Sequence, residues 1–118
     1  MSNEPDATVT FASRGELWTW LGEQDGSHPG VWVRLANARH AFPSVTFHEL
    51  LEAGIAFGWS ESTRRPSDDV SYLQRFAPRR ARGTTSQRNR LIAERLESEG
   101  LMTPEGRTAL GLEPTTED

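Results

Sequence analysis

The sequence predicts an α+β domain: a small three-stranded antiparallel sheet covered by three helices and a short C-terminal helix. Three observations carry this reading. Ser13 with Glu16 and Thr46 with Glu49 have the spacing of a capping box, and each pair leads into apolar residues at helical intervals. Val31-Trp32-Val33-Arg34-Leu35 is rich in β-branched and aromatic residues, which suit a pleated, half-buried strand. Arg65-Pro66-Ser67-Asp68-Asp69 is turn chemistry between two flanks of similar length, the pattern of a hairpin.

Taken in order, residues 1–10 show neither a helical period nor sustained alternation, which predicts a flexible lead-in with Val9 and Phe11 placed to dock on the core. A first helix follows over about 13–24, where Leu17, Trp20 and Leu21 share a face and Gly22 and Gly26 loosen the end. Ser27-His28-Pro29-Gly30 turns the chain into the strand at 31–35, and residues 37–45 form a loop. The second helix runs from Thr46 to about Ala56, its face traced by Phe47, Leu50, Leu51, Gly54 and Ile55, with Gly58 near its end. A hairpin over 58–76 supplies the other two strands, and Ala77 to Gly83 reads as an exposed loop carrying three arginines. Thr84, Thr85 and Ser86 are candidate caps for a third helix closed by Gly100. Thr103 and Pro104 then start the C-terminal stub, because a threonine cap with proline in the first turn is a helix start. Residues 1–118 make one domain, with 112–118 a second flexible end.

Composition excludes several chemistries. No cysteine occurs, so disulfides, thiol catalysis and thiolate metal sites are ruled out. All 13 basic residues are arginine, so there is no lysine for Schiff-base chemistry. His28, His40 and His48 lack the i, i+4 spacing that places two metal ligands on one helical face, and neither a nucleophile elbow nor a phosphate loop is present. No catalytic residue, metal ligand or cofactor is therefore assigned. Apolar runs fall far short of the roughly 20 residues that span a bilayer, and the opening residues lack a signal peptide's apolar stretch, which predicts a cytoplasmic protein without membrane insertion. Charge is segregated. Residues 1–63 hold three arginines against eight acids, 64–95 nine against three, and 96–118 one against six. A basic middle in an acidic frame is either an anion-binding surface or a set of charges that neutralise one another in the fold.

Three segments in order resemble one bacterial family, the YdeI/OmdA (OmpD-associated, bacteriocin-protection) proteins. They are Leu17-Trp18-Thr19-Trp20-Leu21 followed by Gly30-Val31-Trp32-Val33; Ala56-Phe57-Gly58-Trp59; and Tyr72 with Arg75-Phe76-Ala77-Pro78-Arg79-Arg80, Ser86, Asn89 and Gly100-Leu101-Met102-Thr103-Pro104-Glu105-Gly106. The departures are specific. Ser60-Glu61-Ser62 stands where the family tends to have Ile-Asp-Gly, so a role for that aspartate could survive only through Glu61. Thr85-Ser86 replaces the common Trp-Ser, and the basic C-terminal extension of many members is expected to be missing. The resemblance implies a fold and a connection with stress or antimicrobial resistance; it implies no reaction.

The residues singled out for binding are Trp59, Glu61, Tyr72, Arg75, Arg79, Arg80, Ser86 and Asn89. Arginines ahead of a helix start, whose first N–H groups are uncommitted, suit a phosphate, a carboxylate or an acidic partner chain. The competing reading has Arg79 and Arg80 clamp the hairpin through Asp68, Asp69 or Glu61. Trp59 either lines a pocket or plugs the core, and Glu61 opposite Tyr72 would do acid/base work only within hydrogen-bond reach. The expected protein is a non-enzymatic binder of a small anionic or aromatic ligand or of a protein partner. The alternative is a nucleic-acid binder using the arginine-rich 75–95 segment, with the last two helices arranged like a helix-turn-helix. The oligomeric state stays open.

Overall fold

The computed structural model describes residues 7–24, 27–37, 42–79 and 86–111. The elements are β1 (Thr8–Val9), α1 (Arg14–Gly22), β2 (Val31–Ala36), α2 (Phe47–Phe57), β3 (Trp59–Pro66), β4 (Ser71–Pro78), α3 (Gln87–Ser98) and α4 (Pro104–Ala109). The fold is α+β, as the sequence predicts, but the sheet has four strands in the order β1-β2-β4-β3 and is mixed, not three-stranded and antiparallel. The extra strand is β1, which lies parallel to β2 with Thr8 opposite Trp32 and Val9 opposite Val33. It falls inside the segment read as a flexible lead-in. Two residues are too few to show alternation, and what fixes them is the free edge of β2, where Trp32 N–H donates to Ala7 O at 2.8 Å. The hairpin is present, with β4 running on to Pro78, so Ala77 and Pro78 belong to a strand and not to the expected loop. The rest of that loop, residues 80–83, and the expected flexible end at 112–118 lie outside the described residues.

Local chemistry explains the helix starts. Thr46 Oγ1 accepts from Glu49 N–H and the Glu49 carboxylate accepts from Thr46 N–H, a complete capping box. At α1 the Ser13 half forms, but Glu16 reaches one residue further and accepts from Ala12 N–H. Gly58 ends α2 in the left-handed conformation, φ 85°, with its N–H on Gly54 O.

Helix α2 organises the molecule because it is apolar on two sides. Leu50 and Ala53 join Leu17 and Leu21 of α1 over the inward face of the sheet, made by Val31, Val33, Leu35, Trp59 and Phe76. Leu51, Ile55 and Ala56 face the other way, onto Ala93 and Leu96 of α3 and Leu110. Two of the close approaches to α2 leave no room for a side chain. A Cβ on Gly54 would meet the Phe76 ring at 2.9 Å, and one on Gly106 would meet Ala56 O at 2.2 Å. Thr103 locks that second contact: its hydroxyl donates to Ala56 O at 2.6 Å and accepts from Gly106 N–H, so one side chain satisfies the end of α2 and the start of α4.

Candidate functional site

Alternation along β2 divides its residues. Val31, Val33 and Leu35 are buried, while Trp32, Arg34 and Ala36 face the opposite side. Register carries this through the sheet: Trp32 is opposite Arg75, Arg34 opposite Leu73, and Leu73 opposite Arg65 on β3. The helices pack on the inward face or on one another, and neither core cluster includes Trp32 or Leu73. Among the described residues the outward face therefore carries the half-buried Trp32 and Leu73 with Arg34, Arg65 and Arg75, beside the smaller Ala36 and Ser71.

Those arginines are held in different ways. Arg34 is committed to the hairpin turn, with Nε donating to Ser71 Oγ at 3.0 Å, Nη2 to Asp68 Oδ2 at 3.3 Å, and its guanidinium over the Phe42 ring. Asp68 also accepts from Ser71 Oγ at 2.7 Å and from Val70 N–H at 3.0 Å. The Ser71 hydroxyl first, then the Val70 amide and Arg34, hold its carboxyl below the usual aspartate range. Arg75 donates from Nη2 to Pro29 O at 2.9 Å, and its guanidinium is 5.8 Å from the Trp32 ring centre. Arg65 has its guanidinium carbon over the Trp32 ring, 4.4 Å from its centre, and makes no ion pair among the described residues.

Its neighbour Arg64 points to the inward side at the end of the sheet. There it stacks on Tyr72 at 4.5 Å and on Phe47 at 5.2 Å, and Nε donates to Gln74 Oε1 at 3.3 Å. Gln74 is 2% exposed and anchored by its own donation to Thr63 O, inside the register shift between Glu61 and Arg64. Arg64 and Arg65 both border an open cleft of about 690 Å³ at the end of the sheet, whose other walls are Ala36, Asn37, Pro66 and Tyr72.

The structure disperses the residues singled out from sequence. Trp59 is a core plug, 4% exposed, packed against Trp20, His28 and Phe76. Glu61 is on the inward face with Arg88 of α3 at 3.8 Å. Tyr72 is on the same face four β4 residues from Glu61's partner Phe76, roughly 13 Å along the strand, so the two make no acid/base pair. Arg75 belongs to the outward face. Arg79 donates its backbone N–H to Gly58 O, and its buried Nε has no hydrogen-bond partner among the described residues. Arg80 lies outside the described residues. Ser86 and Asn89 cap α3, with Ser86 Oγ accepting from Asn89 N–H, and the Asn89 carbonyl oxygen accepts from Arg88 Nε. The expected clamp is present through another residue: Arg88, not Arg79, ties the hairpin to α3. Among the described residues of that set, only Tyr72 and Arg75 border the cleft or the open face.

Trp32, Arg64 and Arg65 are not among the binding residues singled out from sequence, although the four tryptophans together suggest a stacking platform beside the arginines. Alternation in Val31-Trp32-Val33-Arg34-Leu35 already sets Trp32 and Arg34 apart from the apolar set, whereas the Arg65 stack depends on cross-strand register.

No group of three or more histidine or acidic side chains among the described residues could hold a metal, and no helix among them is long and apolar enough to cross a membrane. No curated protein matches the chain, and no solved structure does. A family model described as a domain of unknown function, DUF8412, matches residues 9–109. That span takes in every helix, the whole hairpin and the open face, and the chain belongs to the DUF8412 family.

Proposed function

We propose that the protein is a non-enzymatic bacterial binding protein that takes an anionic or aromatic ligand on the outward sheet face and the adjoining cleft. The single observation that carries this reading is the stack of Arg65 on Trp32. A guanidinium laid on a ring is held in place without using its N–H groups, which stay at its edge for planar, bidentate contact with an oxyanion. An exposed ion pair would have occupied those same donors. The resemblance to the YdeI/OmdA family supports a setting in stress or antimicrobial resistance.

The test is a ligand screen followed by tryptophan fluorescence and amide chemical shifts, repeated on Arg65→Ala. Binding should be lost while the melting temperature moves little, since an exposed cation–π contact contributes about 0.5–1 kcal/mol. Equal affinity in the variant would sink the proposal.

The nucleic-acid alternative has weaker support. Arg88 and Arg95 in the 75–95 segment sit on Glu61, Glu52 and Glu99. The candidate recognition helix α4 has six residues, with Gly106 pressed on α2. Duplex DNA should bind no better than non-specifically at physiological salt, as read by a filter or anisotropy titration.

A further inference from the structure

We infer that His28 is a pH-sensitive latch on the turn at residues 27–30: the neutral imidazole holds the turn shut, and a proton on the ring opens it and gives up the anchor of Arg75 on the outward face. The latch works whatever that face binds.

A single hydrogen bond sets the protonation state. His28 Nδ1 accepts from Gly30 N–H at 2.9 Å, a contact two residues along the chain like the one an asparagine makes in an Asx turn. An imidazole nitrogen that accepts carries no hydrogen, so the ring is neutral with its proton on Nε2. A second proton can add only at Nδ1. It turns the acceptor into a donor aimed at another donor, and the bond is lost.

Burial gives that loss a consequence. Gly30 is buried, and its N–H has no other acceptor among the described residues. A buried amide without a partner is costly, so the turn moves until water reaches it. Movement toward β4 is blocked: Gly30 sits at φ 104°, and a Cβ there would lie 2.6 Å from Ala77 Cβ and 3.0 Å from Arg75 Nη2. The turn can only swing away. Pro29 O accepts from Arg75 Nη2 at 2.9 Å, and a turn that leaves β4 takes this acceptor with it. A proton on the inward side of the sheet is thereby felt beside Trp32, 5.8 Å from the Arg75 guanidinium on the outward side.

The surroundings of the ring do not replace the bond. Trp20 of α1 and Trp59 of β3 each lie 5.4 Å from it, centre to centre. Indole offers a charged imidazole its π face but no acceptor for the new N–H. Of the charged groups on the elements around the turn, Arg14 and Glu16 begin α1, and Arg64 and Arg65 lie at the far end of β3. Nearer along the chain are Glu23, one turn beyond Trp20, Glu61, paired with Arg88, and Arg75 on β4. No carboxylate of the described residues lies within ion-pair distance of His28, and Asp25 is outside them.

The test follows the His28 ring, the Gly30 amide and the Arg75 Nε–H by nuclear magnetic resonance between about pH 8 and pH 5, where histidine changes charge, with amide exchange alongside. Gly30 and Arg75 should shift with the midpoint of the His28 ring. Protection of the Gly30 amide should fall at least tenfold across that midpoint, while Ile55 inside α2 keeps its protection. His28→Asn retains an acceptor for Gly30 N–H and carries no titrating ring, so its Gly30 protection should not change with pH. His48→Gln should behave like the wild type. A Gly30 amide that ignores the His28 midpoint overturns the latch, as does a response that survives in His28→Asn. Ile55 losing protection together with Gly30 would mean general unfolding and overturns it too. An Arg75 signal that stays fixed while Gly30 moves overturns the coupling to the outward face. Should His28→Asn fold poorly, the wild-type midpoints decide alone.

Discussion

Asp68 shows how one side chain can report on a whole turn. Three donors face its carboxylate, the Ser71 hydroxyl, the Val70 amide and Arg34, and all of them favour the charged form. A carboxyl whose pKa is lowered in the folded state stabilises that state above the unfolded-chain pKa, and the contribution disappears as pH falls through the lowered folded value. The turn should therefore hold through mildly acidic conditions and loosen only below the ordinary aspartate range. Ser71→Ala removes the largest cause, so the Asp68 carbon chemical shift should titrate at higher pH than in the wild type. An unchanged midpoint would mean the hydroxyl does not govern this carboxylate. Trp32 and Trp59 make a related point about single residues. Sequence proximity groups Trp59 with the arginines, yet the turn at Gly58 and the pairing with Pro78 point it inward, while Trp32, far along the chain, meets Arg65 and Arg75.

At the scale of elements, the helix starts were legible because capping is an i, i+3 relation that tertiary structure need not supply. Thr46→Ala should destabilise the protein by about 1 kcal/mol in a urea titration, and Ser13→Ala by a similar amount, since each removes an oxygen that accepts from a free N–H. The docking of α4 was not legible in this way. Thr103-Pro104 announces a helix, but that Gly106 must stay bare follows only from α2 lying against it. Gly106→Ala should cost roughly 1–3 kcal/mol, the range for overpacking, and amide exchange should rise in α4 before it rises in the sheet. Full stability in that variant would place α4 elsewhere.

For the whole molecule, the hairpin and the strand at 31 could be read from composition, whereas the mixed sheet could not, because β1 is defined by its partner and not by its own residues. Deleting residues 1–9 should consequently lower stability by at least about 1 kcal/mol, as backbone hydrogen bonds each contribute about 0.5–1.5. A variant that melts like the full chain would show β1 to be dispensable. The site was half legible for the same reason. The outward face follows from alternation, but the junction of Arg64 and Arg65 with Tyr72 and Trp32 arises from three strands in register, one of them shifted by an irregularity between Glu61 and Arg64.

Strand order leaves β3 on the rim of the sheet, where unpaired backbone groups invite a strand from another copy of the chain. The irregularity after Glu61, the two consecutive arginines and Pro66 are all features that discourage such pairing. Arg64 and Arg65 thus guard solubility at the position where they would meet a ligand. Replacing both with valine should give concentration-dependent association in sedimentation velocity, while Arg65→Gln alone should sediment like the wild type. The rim can give up one charge for a binding experiment, and giving up both would turn a recognition surface into a seed for aggregation.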